Sequence, residues 1–451
     1  MRRNRSGLYF FLGGLIIVGA IAYFVYTSEK FEREKPTIAA PDLIYWNLKK
    51  PLEITISDNV ALKSYSVAIA NQQQRIILDK LELTNPQKSI TLTIKPPANI
   101  ELRQKALLEI EAKDRSFWNY FLGNSTKKII KLYIDTKKPQ LNLINNSYAI
   151  TKGGSALVVF ECRDKNLQDF YIETNFGKKF YAQPFYKDGF YAALIAWPIT
   201  VSTFRANIVA FDKAKNRSKV HIPLYLRNKI YKTSKIHLKD SFLKGKVSIL
   251  AEDYPETTSM SLAEKFRFIN EKLREANEKL IHTYAAKVPQ QKIDNFSIKP
   301  FYPLKNAAAV ASFGTHRYYY YKGKLISESY HLGLDLASIK HAPIVTSNNG
   351  EVIFADYNGI YGNMPLISHG LGLYTLYGHC STLFVKKGDN VKKGQVIAKT
   401  GSTGLALGDH LHFGVLVQGI EVRPSEWMDR RWIKLNILQI LQDAKKIIDT
   451  Q

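Results

Sequence analysis

The stretch GDHLHFGVLVQGIEV, Gly408 to Val422, decides how this chain is read. Its apolar residues alternate and then run on, the pattern of a strand buried in a sheet. Side chains on a strand alternate between faces. His410 and His412, two apart, therefore project to the same side while Leu411 turns toward a core. Upstream, HLGLD places His331 and Asp335 four apart, an even offset that shares a face on a strand and on a helix alike. Between them, LGLYTLYGH closes a strand-like run on His379, with Tyr377 on the same face by parity. Three sheet elements can thus bring imidazoles and a carboxylate to one cleft.

Imidazole and carboxylate donors without thiolates suit a catalytic zinc, which takes three protein ligands and keeps one position open for water. Five candidates exceed that need by two. The surplus fits hydrolysis, which also needs groups to take a proton from water and to stabilise a developing oxyanion. Cys380 follows His379 and invites a nucleophile reading, but neighbours on a strand face opposite ways, so the thiol is expected to pack inward. The other cysteine, Cys162, lies in a different predicted domain. That excludes a disulfide framework and a Cys-rich metal site.

In order and spacing, H-x-x-x-D, then Y-x-H, then H-x-H resembles the lysostaphin/LytM-type zinc metallopeptidases. The resemblance runs from about Ala311 to Pro424 and takes in SFGTHR, PLISHGLGLYTLYGH and VKKGDNVKKGQVIAKTGSTGLALGDHLHFGV. It implies a compact antiparallel β domain with a groove. It also implies one zinc held by His331, Asp335 and His412, with His379 and His410 as the catalytic histidines. The family's substrate is peptidoglycan, and its members cut cross-bridges or stem peptides as endopeptidases. Some cut oligoglycine bridges, others the D-alanyl-to-diaminopimelate link. Other relatives have lost zinc ligands and activate separate wall amidases, and several block the zinc with an upstream residue. All five site residues are present here. His369, His316 and His341 fall outside the ligand set and are read as structural or supporting, and Asn363 as a candidate for the groove wall.

The remainder of the chain reads as delivery and positioning, and the fold class as mainly β. From Ser6 to Ser28 no residue is charged, a run close to the ~20 residues that cross a bilayer as a helix. Arg2, Arg3 and Arg5 precede it and EKFEREK, of mixed sign, follows, so the N-terminus is expected in the cytoplasm and the remainder outside. The alternative is a cleaved signal peptide with its site at Ala20-Ile21-Ala22, but that leaves a short apolar region. Residues 1–28 are therefore read as a single-pass anchor in the cytoplasmic (inner) membrane, with the catalytic domain periplasmic.

Residues 40–137 and 138–230 read as two β-sandwich modules of similar design. ITISDNVALKSYSVAI is matched by VVFECRDKNLQDFYIET, and IEAKDRSFWN by IVAFDKAKNRSKVHI. Asp58 then corresponds to Asp164, Asp114 to Asp212 and Asn119 to Asn216. The pattern resembles bacterial Ig-like domains, which space or bind; other envelope proteins are their expected partners. Residues 231–300 read as a helical linker or regulatory segment. Ser261 and Glu264 form a capping box, and Leu262, Phe266, Ile269, Leu273, Ala276 and Leu280 make one apolar seam. The seam suits packing on its own chain, or a short coiled coil and with it a homodimer. Residues 301–430 form the predicted catalytic domain and 431–451 an amphipathic helix, most simply docked on it.

The net charge is +25, yet Lys305 to Arg430 holds 12 basic and 9 acidic residues, so +22 lies elsewhere. For an exported chain such an excess suits anionic lipids or wall polymers. No nucleic-acid motif accompanies it, so nucleic acid is not an expected partner.

Overall fold

The computed structural model describes residues 6–70, 74–97 and 105–450; Arg2, Arg3 and Arg5 lie outside them. The chain is mainly β and falls into two compact units. The first comprises Met1–Pro139, Asn166–Gln168 and Phe211–Arg217, and the second the remaining residues.

The first unit opens on the helix Ser6–Thr27. Its segment Gly7–Thr27 is apolar, has no buried residue and is long enough to cross a membrane. Six strands follow, hydrogen-bonded into one sheet. The longest, Leu52–Ala70 and Arg75–Ile94, pair as an antiparallel hairpin whose register shifts between Ser57 and Leu62. Such irregularities bend a strand and increase its twist. Inward residues Ile56, Leu62, Val67, Leu108, Ile110 and Ile130 then share one core.

The duplicated Asp-to-Asn turn is visible at two places in this unit. Asn124 donates N–H and Nδ2–H to the two oxygens of Asp114, and Nδ2–H to the carbonyl of Glu32. Asn216 bonds Asp212 in the same way and donates Nδ2–H to the carbonyl of Asp135. The partner of Asn216 in the repeat is thus Asn124, not Asn119. The first module inserts residues between Asp114 and Asn124, ten apart against four, and Asn119 sits in that insertion with φ 53°.

Two four-stranded sheets form the next β module, most of whose residues belong to the second unit. Strand Ser155–Arg163 is buried at every position but its last. A strand apolar on both faces needs cover on both. Here one cover is the C-terminal helical run, which turns Ile433, Ile437, Leu441, Ala444 and Ile448 inward. Asn145 donates to the carbonyl of Ile440 and Ser147 to that of Asn436. The C-terminal helix therefore docks on this β module and not, as expected, on residues 301–430.

The segment before the catalytic domain is not purely helical, since strand Thr233–His237 pairs in parallel with His316–Tyr321. The Ser261 capping box forms as expected. The helical run Leu262–Ala285 contains a π turn at Ile269–Leu273, which adds a residue to one turn. The buried seam therefore advances by one position. Phe266, Ile269 and Leu273 are followed inward by Asn277 and Ile281, while Ala276 is exposed and Leu280 half-buried. This seam packs on its own chain, against Tyr319, Ile360, Met364 and Leu376.

Residues 301–430 are built on an antiparallel eight-stranded sheet. Strand Leu411–Val417 lies within it, between Leu334–Ala337 and Leu373–Gly378, and is buried throughout.

Candidate metal centre and its cleft

Strand register brings the conspicuous residues together. Asp335 and His412 are direct cross-strand partners, and Gly378 faces His412 from the other side. A side chain at Gly378 would press on His412, with only 3.3 Å between the two Cβ atoms. Gly333 leaves room for the His412 ring, since a Cβ there would lie 2.4 Å from its Nε2.

The Asp335 Oδ1 lies 2.9 Å from both His331 Nε2 and His412 Nδ1, which are 3.1 Å apart. All three residues are at least nine-tenths buried. The Nδ1–H of His331 donates to the carbonyl of Ser312 at 3.0 Å. A carbonyl only accepts, so a neutral His331 turns its Nε2 lone pair toward a carboxylate oxygen. Burial pushes His331 down to about 4, which keeps the ring neutral near pH 7. Burial alone would raise Asp335, but its bonds to His331 and His412 hold it far below the usual carboxylate range. Lone pairs facing one another across 3 Å call for a cation. Tetrahedral zinc ligands at about 2.1 Å would stand ~3.4 Å apart, close to the spacings seen, so this donor set fits a zinc ion.

His379 and His410 flank the trio. Their ring centroids are 4.8 Å apart, and His379 is 5.9 Å from His412. The Nδ1–H of His379 donates to the carbonyl of Thr403 at 2.8 Å, and that of His410 to the carbonyl of Gly408 at 2.8 Å. Each neutral ring thus keeps Nε2 as a proton acceptor. That of His410 is 3.8 Å from Asp335. Burial, reinforced by His412 and His410, pushes His379 down to about 3. All five residues line one cleft of about 1220 Å³.

The placement of His379 differs from strand parity. The strand stops at Gly378, and His379 has φ 64°. Tyr377 stays on the core side, packed on Phe413 with its hydroxyl bonded by Thr375. The left-handed residue turns the histidine back toward His412, so His379 and Tyr377 do not share a face. Such a conformation costs a non-glycine residue about 1 kcal/mol and is held by its surroundings. Here the His379 N–H donates to the carbonyl of Tyr361.

Other residues separate from the site. Cys380 is fully buried with its thiol directed at the carbonyl of Tyr377, and burial pushes it up to about 12. His369 is bonded by Asn349 and Thr375, His316 stacks on Tyr330, and His341 occupies a turn at φ 55°. Asn363 bonds Thr403 and Cys380 and is a strut, not a groove wall. Sequence reading missed Arg317, 3.5 Å from Asp335, and Tyr361, which packs on the His412 ring. Within SFGTHR it is the arginine, not the histidine, that reaches the site. Among the described residues, no side chain upstream of Ser312 bonds the trio.

Burial pushes the Tyr361 hydroxyl well above its ordinary value, and the charge of nearby Glu278 on the seam helix helps to raise it. Burial and then the charge of Glu421 push Glu278 up from 4.5 to about 7. The protonated form is therefore favoured by folding. Its contribution is complete below pH 4.5 and is lost as pH rises through 7. Glu278→Gln is expected to stabilise the protein by about 2 kcal/mol at pH 8 and not at pH 4, read from denaturant midpoints.

Comparison with known proteins places this site in a family. The model of peptidase family M23 matches residues 329–424. The peptidoglycan DD-endopeptidase ShyA of Vibrio cholerae is 39% identical over 96 residues, 21% of this chain and 22% of its own length. The DD-carboxypeptidase/endopeptidase Mpg of Neisseria meningitidis is 39% identical over 94 residues, with the same coverage. The murein hydrolase activator NlpD of Salmonella dublin is 36% identical over 107 residues, 23% of this chain and 28% of its own. The chain thus spans less than a third of the length of these relatives. Residues 329–424, which carry His331, Asp335, His379, His410 and His412, are a domain of peptidase family M23.

Proposed function

We propose that this chain is a membrane-anchored, zinc-dependent endopeptidase that cuts cross-links or stem peptides of peptidoglycan during growth or shaping of the wall. The observation that carries this reading is the fixed tautomer of His331, which turns a lone pair toward Asp335 and His412 where a cation is required. His331, Asp335 and His412 would hold the zinc. When bound, zinc supplies a water of lowered pKa and polarises the scissile carbonyl. His379 and His410, each with Nε2 free, take the proton of the attacking water, return it to the leaving amine and stabilise the developing oxyanion. Arg317 positions Asp335 through its second oxygen. The relatives ShyA and Mpg are named endopeptidases, which favours the D-alanyl-to-diaminopimelate link over oligoglycine.

The helix Ser6–Thr27 would anchor the chain once through the inner membrane, with the catalytic domain in the periplasm and the β modules free to meet envelope proteins. A second reading, a silent activator of wall amidases, draws on the likeness to NlpD. Digestion of cross-linked muropeptides with product mass analysis separates the two. Cleavage at a peptide bond is expected. Zinc uptake without new products would favour the activator.

A further inference from the structure

The first unit holds a carboxylate cluster of its own, Glu32, Asp58 and Asp114, with one oxygen of each within 4.8 Å of the others. Three separate stretches supply it. Glu32 follows the turn Glu29–Phe31 just beyond the apolar helix, Asp58 lies within strand Leu52–Ala70, and Asp114 ends strand Lys105–Asp114. The Phe31 ring packs on Phe117 and Phe121, which holds the turn against the module.

The oxygens are unequally satisfied. Asp114 accepts from the N–H of Ser116 and from Asn124, and Glu32 from the N–H of Glu34 and from Asn124. Oδ2 of Asp58 accepts from the N–H groups of Val60 and Ala61. Its Oδ1 is shut off from solvent and accepts nothing, in a residue only 8% exposed. Among the described residues no salt bridge involves any of the three. A buried carboxylate oxygen without a donor, beside two further carboxylates, is strongly unfavourable unless a cation meets it.

We propose that Glu32, Asp58 and Asp114 bind a divalent cation of the calcium class. The donors are hard oxygens, whereas zinc favours nitrogen and sulfur. Calcium takes several oxygen ligands at about 2.3–2.6 Å in flexible geometry, which suits carboxylates gathered from three separate stretches within 4.8 Å of one another. Magnesium demands near-ideal octahedral geometry and keeps several of its waters. The consequence is mechanical. An ion shared between Glu32 and the module fixes the β module on the apolar helix, a role independent of peptidase chemistry.

The test uses the full-length chain in detergent micelles, stripped with a calcium chelator and titrated with calcium chloride to a few millimolar. Wild type is expected to take up one more calcium per chain than Asp58→Asn by equilibrium dialysis, and to gain several degrees of melting temperature on calcium addition that the variant does not. Asp58→Asn keeps an oxygen for the Val60 and Ala61 N–H groups, and in chelator it is expected to melt at or above wild type. Glu32→Gln, at a half-buried position, should show the same loss of one calcium and serves if Asp58→Asn does not fold. Equal uptake and equal thermal response in wild type and variants, whether all bind or none does, would overturn the proposal.

Discussion

His412→Ala is expected to bind no zinc at the M23 domain and to lose cleavage of cross-linked muropeptides by roughly 10³-fold or more. Water activation and carbonyl polarisation by a metal are together worth several kcal/mol, and each 1.36 kcal/mol is about tenfold in rate. His412 is the hinge of the arrangement. Its Nδ1 meets Asp335 and His331, its neighbour across the next strand is Gly378, and its ring is wedged beside Gly333 and Tyr361. Elemental analysis and the cleavage rate should fall together in this variant. Zinc retained at one per chain would refute the ligand assignment, while retained cleavage without zinc would refute the chemistry.

His379→Ala is expected to behave differently. The ring does not bond any of the trio, its Nδ1 being spent on the Thr403 carbonyl. Zinc should stay bound, kcat should fall by about 10²–10⁴, the usual contribution of a positioned acid or base, and KM should change little. His410→Ala should give a loss of similar size. The double variant should cost far less than the product of the two, because groups serving one proton path are not additive. A loss of zinc in His379→Ala would instead make it a ligand.

Much of this site was legible in the sequence because β structure preserves parity. His410 and His412 keep the face that even spacing assigns them, with His410 at an isolated bridge just outside the strand, whereas His331 meets Asp335 from the coil that precedes strand Leu334–Ala337. His379 was found through its motif, yet its orientation was not legible. Parity put it beside Tyr377, and one left-handed residue reversed that. Such a residue leaves no periodic signature when it is not glycine. Arg317 escaped for a related reason: it sits on a strand that pairs both with its hairpin neighbour and with Thr233–His237, far away in sequence, and no motif of even spacing links it to Asp335.

The upstream regions show the same limit. The seam of helix Leu262–Ala285 was legible as far as Leu273. Beyond it the π turn rotated the buried face onto Asn277 and Ile281, which no regular period predicts. The C-terminal helix was legible as amphipathic, but its dock was not. The cue lay in ALVVF at 156–160, an apolar run that needs cover on both faces. Asn124 is not legible as the partner of Asn216, since the spacing of the second module points to Asn119 and the first module's turn is longer.

The most direct test is the rate of peptide cleavage in cross-linked muropeptides by chelator-stripped full-length protein as zinc is returned in measured equivalents. Cleavage is expected to be absent in the stripped protein, to rise linearly and to saturate at one zinc per chain, with Asp335→Asn not rescued. Cleavage at full rate in the stripped protein, or none at any zinc level, would contradict the account.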